Sequence, residues 1–220
     1  MLAFGGGRAC FQGTWMPIFF KGDQKILFVH IPKTGGTYIE RMFEKNGFKH
    51  DFWMLPEDRH LLGVMHCSPQ HLHWSQLRAL FAIRKFSYMF TVVREPLSRF
   101  ISEYRMRSQS KGVEFNAWAV QALDRHQKRP YSSDNHLRPQ VEFVGENVDV
   151  FKFEDGLGSD WVARLQSRLG PACAPLTAPP PPRKGPRHPV EPSPEVVERV
   201  QLLYAEDYQR FGYPLVARPE

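Results

Sequence analysis

Short apolar runs punctuate this chain, and stretches with helical spacing lie between them. Ile26, Leu27, Phe28 and Val29 form a compact β-rich run of the kind buried in the middle of a parallel sheet. Ile39, Met42 and Phe43 then repeat at helical spacing until Gly47 stops them. Leu61 to Met65 and Met89 to Val93 read as two further strands, and Val148 to Phe153 as another. After Val93, the positions Leu97, Phe100, Ile101 and Tyr104 recur at i, i+3, i+4 and i+7, with Pro96 suited to a first helical turn. Ser68-Pro69 looks like the cap and first turn of a helix carrying Leu72 and Leu77. Near the end, Ser193 as cap and Pro194 precede a stripe of Val197, Val200, Tyr204, Tyr208 and Phe211, a core-facing helix. Strands at 25–31, 61–66, 89–94 and 148–153 alternating with helices predict an α/β fold, a parallel sheet with helices on both faces.

The junction after the first strand carries chemistry. His-Ile-Pro-Lys-Thr-Gly-Gly-Thr, residues 30–37, places Lys33, Thr34, Gly35, Gly36 and Thr37 where a buried strand turns into a helix. Free N–H groups and the positive end of the helix dipole attract an anion at such a point, and a lysine and hydroxyls add charge and donors. A Walker A loop needs its lysine after the glycines, whereas Lys33 precedes Gly35 and Gly36, which argues against a standard NTPase. The string resembles the loop with which sulfotransferases hold the 5'-phosphosulfate of 3'-phosphoadenosine 5'-phosphosulfate (PAPS). Its wording is most similar to the heparan sulfate 2-O- and 6-O-sulfotransferases and their bacterial relatives.

A second segment strengthens that likeness. Thr-Val-Val-Arg-Glu-Pro-Leu-Ser-Arg-Phe-Ile-Ser-Glu-Tyr, residues 91–104, resembles the sulfotransferase 3'-phosphate motif, in which an arginine and a serine eight residues later hold the 3'-phosphate. The resemblance assigns those roles to Arg94 and Ser102, and a planar guanidinium fork suits such a dianion. Between the motifs, His66 follows the 61–66 strand, at the edge of an open sheet where ligands gather. His-Cys-Ser-Pro-Gln-His-Leu resembles the segment bearing the catalytic histidine of the 2-O- and 6-O-enzymes, so the resemblance implies His66 as base. His71, His73 and His136 stay open as alternatives. Asn-His-Leu-Arg-Pro-Gln, residues 135–140, is similar to an element of chondroitin-type carbohydrate sulfotransferases. Its His136, Arg138 and Gln140 either meet ligand or form a turn before the next strand.

The resemblance implies a P-loop-like three-layer fold with a central parallel sheet. It also implies transfer of a sulfuryl group from PAPS to a hydroxyl acceptor, most naturally a carbohydrate. Expected donor-binding residues are Lys33, Thr34, Gly35, Gly36, Thr37, Tyr38, Arg94 and Ser102; expected catalytic residues are His66 and Lys33. No metal is expected. An atypical P-loop kinase, with a Mg-binding acid drawn from Glu154-Asp155, and a non-catalytic domain binding nucleotide or sulfated glycan are the alternatives.

Composition fits these expectations. The chain has 220 residues, 42% hydrophobic and 24% charged, enough for one core. It divides into an N-terminal extension at 1–24 and a single sulfotransferase domain at 25–220, with a Pro-rich surface segment at 171–194. Within that segment Arg183-Lys184-Gly185 resembles the Arg-Lys-Gly motif of cytosolic sulfotransferases. A net charge of +6 favours anionic partners such as a nucleotide or an acidic glycan. Arg105, Arg107 and Lys111, and the run Arg125 to Arg129, accompany no nucleic-acid-binding fold, so they read as a solvated basic face and no nucleic-acid partner is expected. Cys10, Cys67 and Cys173 are too scattered for a disulfide framework or zinc site. There is no transmembrane run and no signal-peptide pattern, so a soluble cytoplasmic enzyme of bacterial type is expected, a truncated Golgi-luminal domain being the alternative. Acceptor identity and oligomeric state are not legible.

Overall fold

A computed structural model describes residues 14–54, 66–107, 112–171, 173–180 and 189–215. Its centre is a five-stranded sheet of β1 (Thr14–Lys21), β2 (Gln24–Val29), β3 (Lys49–Met54), β4 (Tyr88–Val93) and β5 (Asp149–Lys152), ordered β3-β1-β2-β4-β5. β2, β4 and β5 run parallel, with Phe28 opposite Phe90 and Phe90 opposite Asp149.

Each parallel strand feeds both sides of the sheet, as the period of two requires. Leu27, Val29, Met89 and Val93 pack on one face, while Ile26, Phe28, Phe90 and Val92 pack on the other. The second face is covered by α1 (Gly36–Lys45), through Ile39, Met42 and Phe43, and receives Trp161, Val162 and Leu165 from a later helix. The first receives Leu77 of α2 (Trp74–Leu80), together with Phe143 and Phe211. The layered α/β architecture is therefore present, with apolar strands buried on both faces as parallel sheets demand.

α3 (Pro96–Arg107) and α4 (Phe115–Lys128) follow β4, and α5 (Ser159–Leu169) follows β5. The chain ends in α6 (Pro194–Leu203) and α7 (Ala205–Phe211). α3, α4, α6 and α7 share a core outside the sheet, built on Phe100, Tyr104, Phe115, Val196, Val200, Tyr204 and Tyr208. Ser193 caps α6 by accepting the Val196 N–H. The expected single terminal helix is broken at Tyr204, and Val196 rather than Val197 faces the core.

Two strands were not foreseen. β1, inside the stretch read as an extension, pairs antiparallel with β2 across the Gly22 turn and with β3 on its other side. Pro17 obscured it, and the register of β1 against β3 shifts between Trp15 and Ile18, where a missing N–H is tolerated. The expected strand at 61–65 lies outside the described residues, as do Cys10, Lys111 and Arg183-Lys184-Gly185. The segment after His66 also differs. Pro69–His71 forms one 3-10 turn, and α2 starts separately after His73, because Ser68 spends its hydroxyl on Asp134 instead of capping a helix. From Cys173 to Pro180 the Pro-rich segment has no regular structure and runs along α1, tied by Tyr38 Oη to Pro179 O (3.1 Å) and by Asn46 to Thr177.

Candidate active site

Parallel strands bring their carboxyl ends to one edge, and three chain segments meet there: the β2–α1 loop, Arg94 after β4 and Phe153 after β5. The loop is sharply folded. Lys33 has φ 70° and Gly35 φ 97°, and the Thr34 hydroxyl donates to Ile31 O at 2.8 Å, closing the turn from within. That buried hydroxyl is committed, so Thr34 offers a ligand only backbone, whereas Thr37 is exposed in the first turn of α1. Gly35 and Gly36 have packing reasons of their own. A Cβ on Gly35 would lie 2.6 Å from Leu157 Cδ1, and one on Gly36 would lie 2.0 Å from His30 Nε2.

Arg94 joins the loop directly. Its Nη1 donates to Lys33 O at 3.3 Å, and its guanidinium lies over the Phe153 ring, 4.6 Å from the centroid. Its backbone is fixed by Gln140, whose Oε1 accepts the Arg94 N–H (2.9 Å) and whose Nε2 donates to the Arg94 carbonyl (2.8 Å). Ser102 sits half-buried on α3, next to the buried Glu103. Burial pushes the Lys33 ammonium below its usual pKa; Glu103 opposes that, while Arg94 and Arg107 reinforce it. Lys33 and Arg94 thus meet at the N-terminus of α1, with the Glu103 carboxylate offsetting part of their charge.

Beneath these groups lies a polar core the sequence did not reveal. Three histidines each bring Nδ1 to a carboxylate: His71 bonds Asp134 (2.8 Å), His136 bonds Glu103 (2.6 Å), and His30 lies 3.0 Å from Glu40. Their rings meet edge to face, His30 against His71 at 5.3 Å and His71 against His136 at 4.6 Å. Burial would raise the carboxylates, but the bonds they accept win, holding Glu103 and Asp134 at about 2 and Glu40 below its usual range. Burial drives His71 down to about 4, so it is neutral near pH 7. His71, Asp134 and His136 bring ligating atoms within 4.8 Å of one another, and hydrogen bonds already close that cluster.

This core ties the segments together. Gln70 Nε2 donates to Glu40, linking the histidine segment to α1. Asp134 accepts the Ser68 N–H and hydroxyl, and Asn135 Nδ2 donates to His71 O. Arg99, 1% exposed, reaches Pro32 O, Arg138 O and His136 O, and so pins the anion loop to the 135–140 turn. Of the residues expected to meet ligand or form a turn, Gln140 is fully buried between Arg94 and Asp207, and Arg138 is bonded to Asn135 and Glu142. Both are internal supports. Glu154, offered as a metal-binding acid for a kinase, instead accepts the Glu95 N–H and the Tyr213 hydroxyl.

His66 is exposed, with φ 66°, and its ring lies 5.2 Å from that of Tyr131. His73, by contrast, is buried, its Nε2 3.1 Å from Tyr131 Oη, and burial lowers it to about 4. Lys33 and Arg94 are therefore in contact, and His66 lies on a separate segment that the Asp134 clamp fastens to the same core. The residues missed from sequence were Arg99, which stands inside the 91–104 motif, and the carboxylates Glu103 and Asp134, whose histidine partners are distant in sequence.

No curated protein and no solved structure gives a significant match to the chain. The model of the Sulfotransferase family matches residues 16–169, which hold most of β1, all of β2 to β5, the anion loop, Arg94, Ser102 and the histidine segment. That span is well over half of the chain, and the chain belongs to the sulfotransferase family.

Proposed function

We propose that this sulfotransferase uses PAPS as donor and a hydroxyl, most naturally of a carbohydrate, as acceptor. The observation that carries the reading is the contact of Arg94 with the Lys33 loop at the N-terminus of α1, which joins the two phosphate-binding motifs at one sheet edge. The donor supplies a sulfuryl group whose bond to the 5'-phosphate oxygen breaks as an acceptor oxygen bonds to sulfur. The amides that open α1, the Thr37 hydroxyl and the Lys33 ammonium stabilise charge on the departing phosphate. Arg94, held by Gln140 and Phe153, takes the 3'-phosphate together with Ser102, which fixes the donor's position. His66, exposed on the segment that the Asp134–Ser68 bonds fasten to the same core, takes the acceptor's proton as a neutral imidazole.

Thermal shift with 3'-phosphoadenosine 5'-phosphate (PAP), AMP and ATP tests the donor. PAP should stabilise the fold most. Arg94→Ala should weaken PAP tenfold or more and barely affect AMP, since a charge-assisted bond is worth about 1.5 to 3 kcal/mol. Equal losses for both nucleotides would show that Arg94 does not read the 3'-phosphate. Sulfate transfer screened over glycans, phenols and small alcohols identifies the acceptor.

A further inference from the structure

His66 presents a problem of orientation. It lies in a bend, in no helix or strand, its φ of 66° is in the left-handed region, and it is exposed. An exposed imidazole samples several χ1 and χ2 wells, and only some of them aim a ring nitrogen at a given proton. The ring packed against it belongs to Tyr131, 5.2 Å away and tilted by 32°.

Tyr131 is itself held. Its hydroxyl is 3.1 Å from His73 Nε2, and the Arg138 guanidinium lies over its ring, 4.6 Å from the centroid. Arg138 is buried and in turn fixed by Asn135 Oδ1 at 2.9 Å and by Glu142. His73 is buried too, with Nδ1 3.1 Å from Ser75 Oγ. In the same turn Asp134 grips the backbone and hydroxyl of Ser68, two residues past His66. The turn thus secures both ends of the problem, the main chain through Asp134 and the ring through Tyr131.

We infer that Tyr131 is the positioning residue of His66, a flat face that confines the imidazole to the orientation in which it accepts the acceptor's proton. The inference rests on His66 as base. Restricting a side chain with about six rotamer wells to one productive well is worth up to roughly a factor of six in rate.

The test compares steady-state sulfate transfer and PAP affinity in Tyr131→Phe, Tyr131→Ala, His66→Ala and the double variant. Tyr131→Phe keeps the ring and should stay within about twofold of wild type in kcat. Tyr131→Ala should lower kcat by about three- to sixfold with PAP affinity unchanged. On the His66→Ala background, Tyr131→Ala should cost the residual rate nothing, because a residue acting through His66 has nothing left to act on. Tyr131→Leu, which keeps apolar bulk without a ring face, replaces the alanine variant should that fail to fold. Full activity in Tyr131→Ala beside an inactive His66→Ala overturns this inference and leaves the base in place. Equal damage from Tyr131→Phe, or an undiminished loss on the His66→Ala background, also overturns it. Full activity in His66→Ala removes the base and this inference with it.

Discussion

Gly36 permits a sharp test of what the glycines in the anion loop are for. A phosphate-approach role and a packing role both require a residue without a side chain, but they predict different damage. A Cβ on Gly36 would sit 2.0, 2.3 and 2.5 Å from Nε2, Cε1 and Cδ2 of His30, distances no pair of atoms tolerates. The ring has little room to yield. It stacks on Phe28 at 5.4 Å, meets His71 at 5.3 Å, and has Nδ1 3.0 Å from a Glu40 carboxylate oxygen. Gly36→Ala must therefore displace a packed buried ring, at about 1 to 3 kcal/mol.

That is a sizeable part of the stability of an ordinary domain, and it lowers Tm by roughly 2 to 12 °C for a chain of this size. Urea unfolding and thermal melts without nucleotide measure it. Removing the obstructing ring should give part of it back, so the double variant His30→Ala/Gly36→Ala should lose clearly less than the two single losses added together. A Gly36→Ala protein as stable as wild type, and deficient only in PAP binding, would refute the packing argument and return the glycine to the phosphate. Strict additivity in the double variant would show that His30 is not what the methyl group meets.

The other expectations concern charge. Lys33→Ala should lower turnover by more than it lowers PAP affinity, because its charge counts most as the leaving oxygen becomes anionic; lost binding with unchanged kcat at saturation would make Lys33 a positioning residue. Stability should fall on acidification. His71 titrates at about 4 in the fold against 6.5 unfolded, so between those values the unfolded chain binds the extra proton and stability declines as pH drops, by on the order of 3 kcal/mol in all. Asp134 and Glu103, held at about 2, contribute stability above their ordinary carboxylate pKa that is lost as pH falls further, toward 2. A Tm that stays constant from pH 7 to 4.5 would mean that His71 is not buried as a neutral ring.

What the sequence disclosed and what it withheld divide along a physical line. β2 and β4 are buried on both faces, so they appear as unbroken apolar runs, and the strand-to-helix junctions after them carry glycine, proline and cationic residues in fixed order. Local pattern suffices for such elements. β1 and β3 were missed because Pro17 and the polar residues of Lys-His-Asp interrupt them, and because antiparallel pairing leaves no crossover helix to announce a strand. The site splits in the same way. Lys33 and Arg94 sit in contiguous motifs and were legible, and the structure joins them through a bond between residues 61 positions apart. The supports beneath them are long-range by nature: His71 meets Asp134 across 63 positions and His136 meets Glu103 across 33, so no spacing rule betrays them. A buried carboxylate must find a cation or donors, or the fold bears the cost of desolvating it. Here Asp134 and Glu103 each take a histidine from a distant segment, and Glu40, beside His30, takes Gln70 from the histidine segment. The segments that carry the loop, the proposed base and the 3'-phosphate helix are thereby bound to one core, so a change at any of the three histidines should be felt at the other two segments' ends of the site.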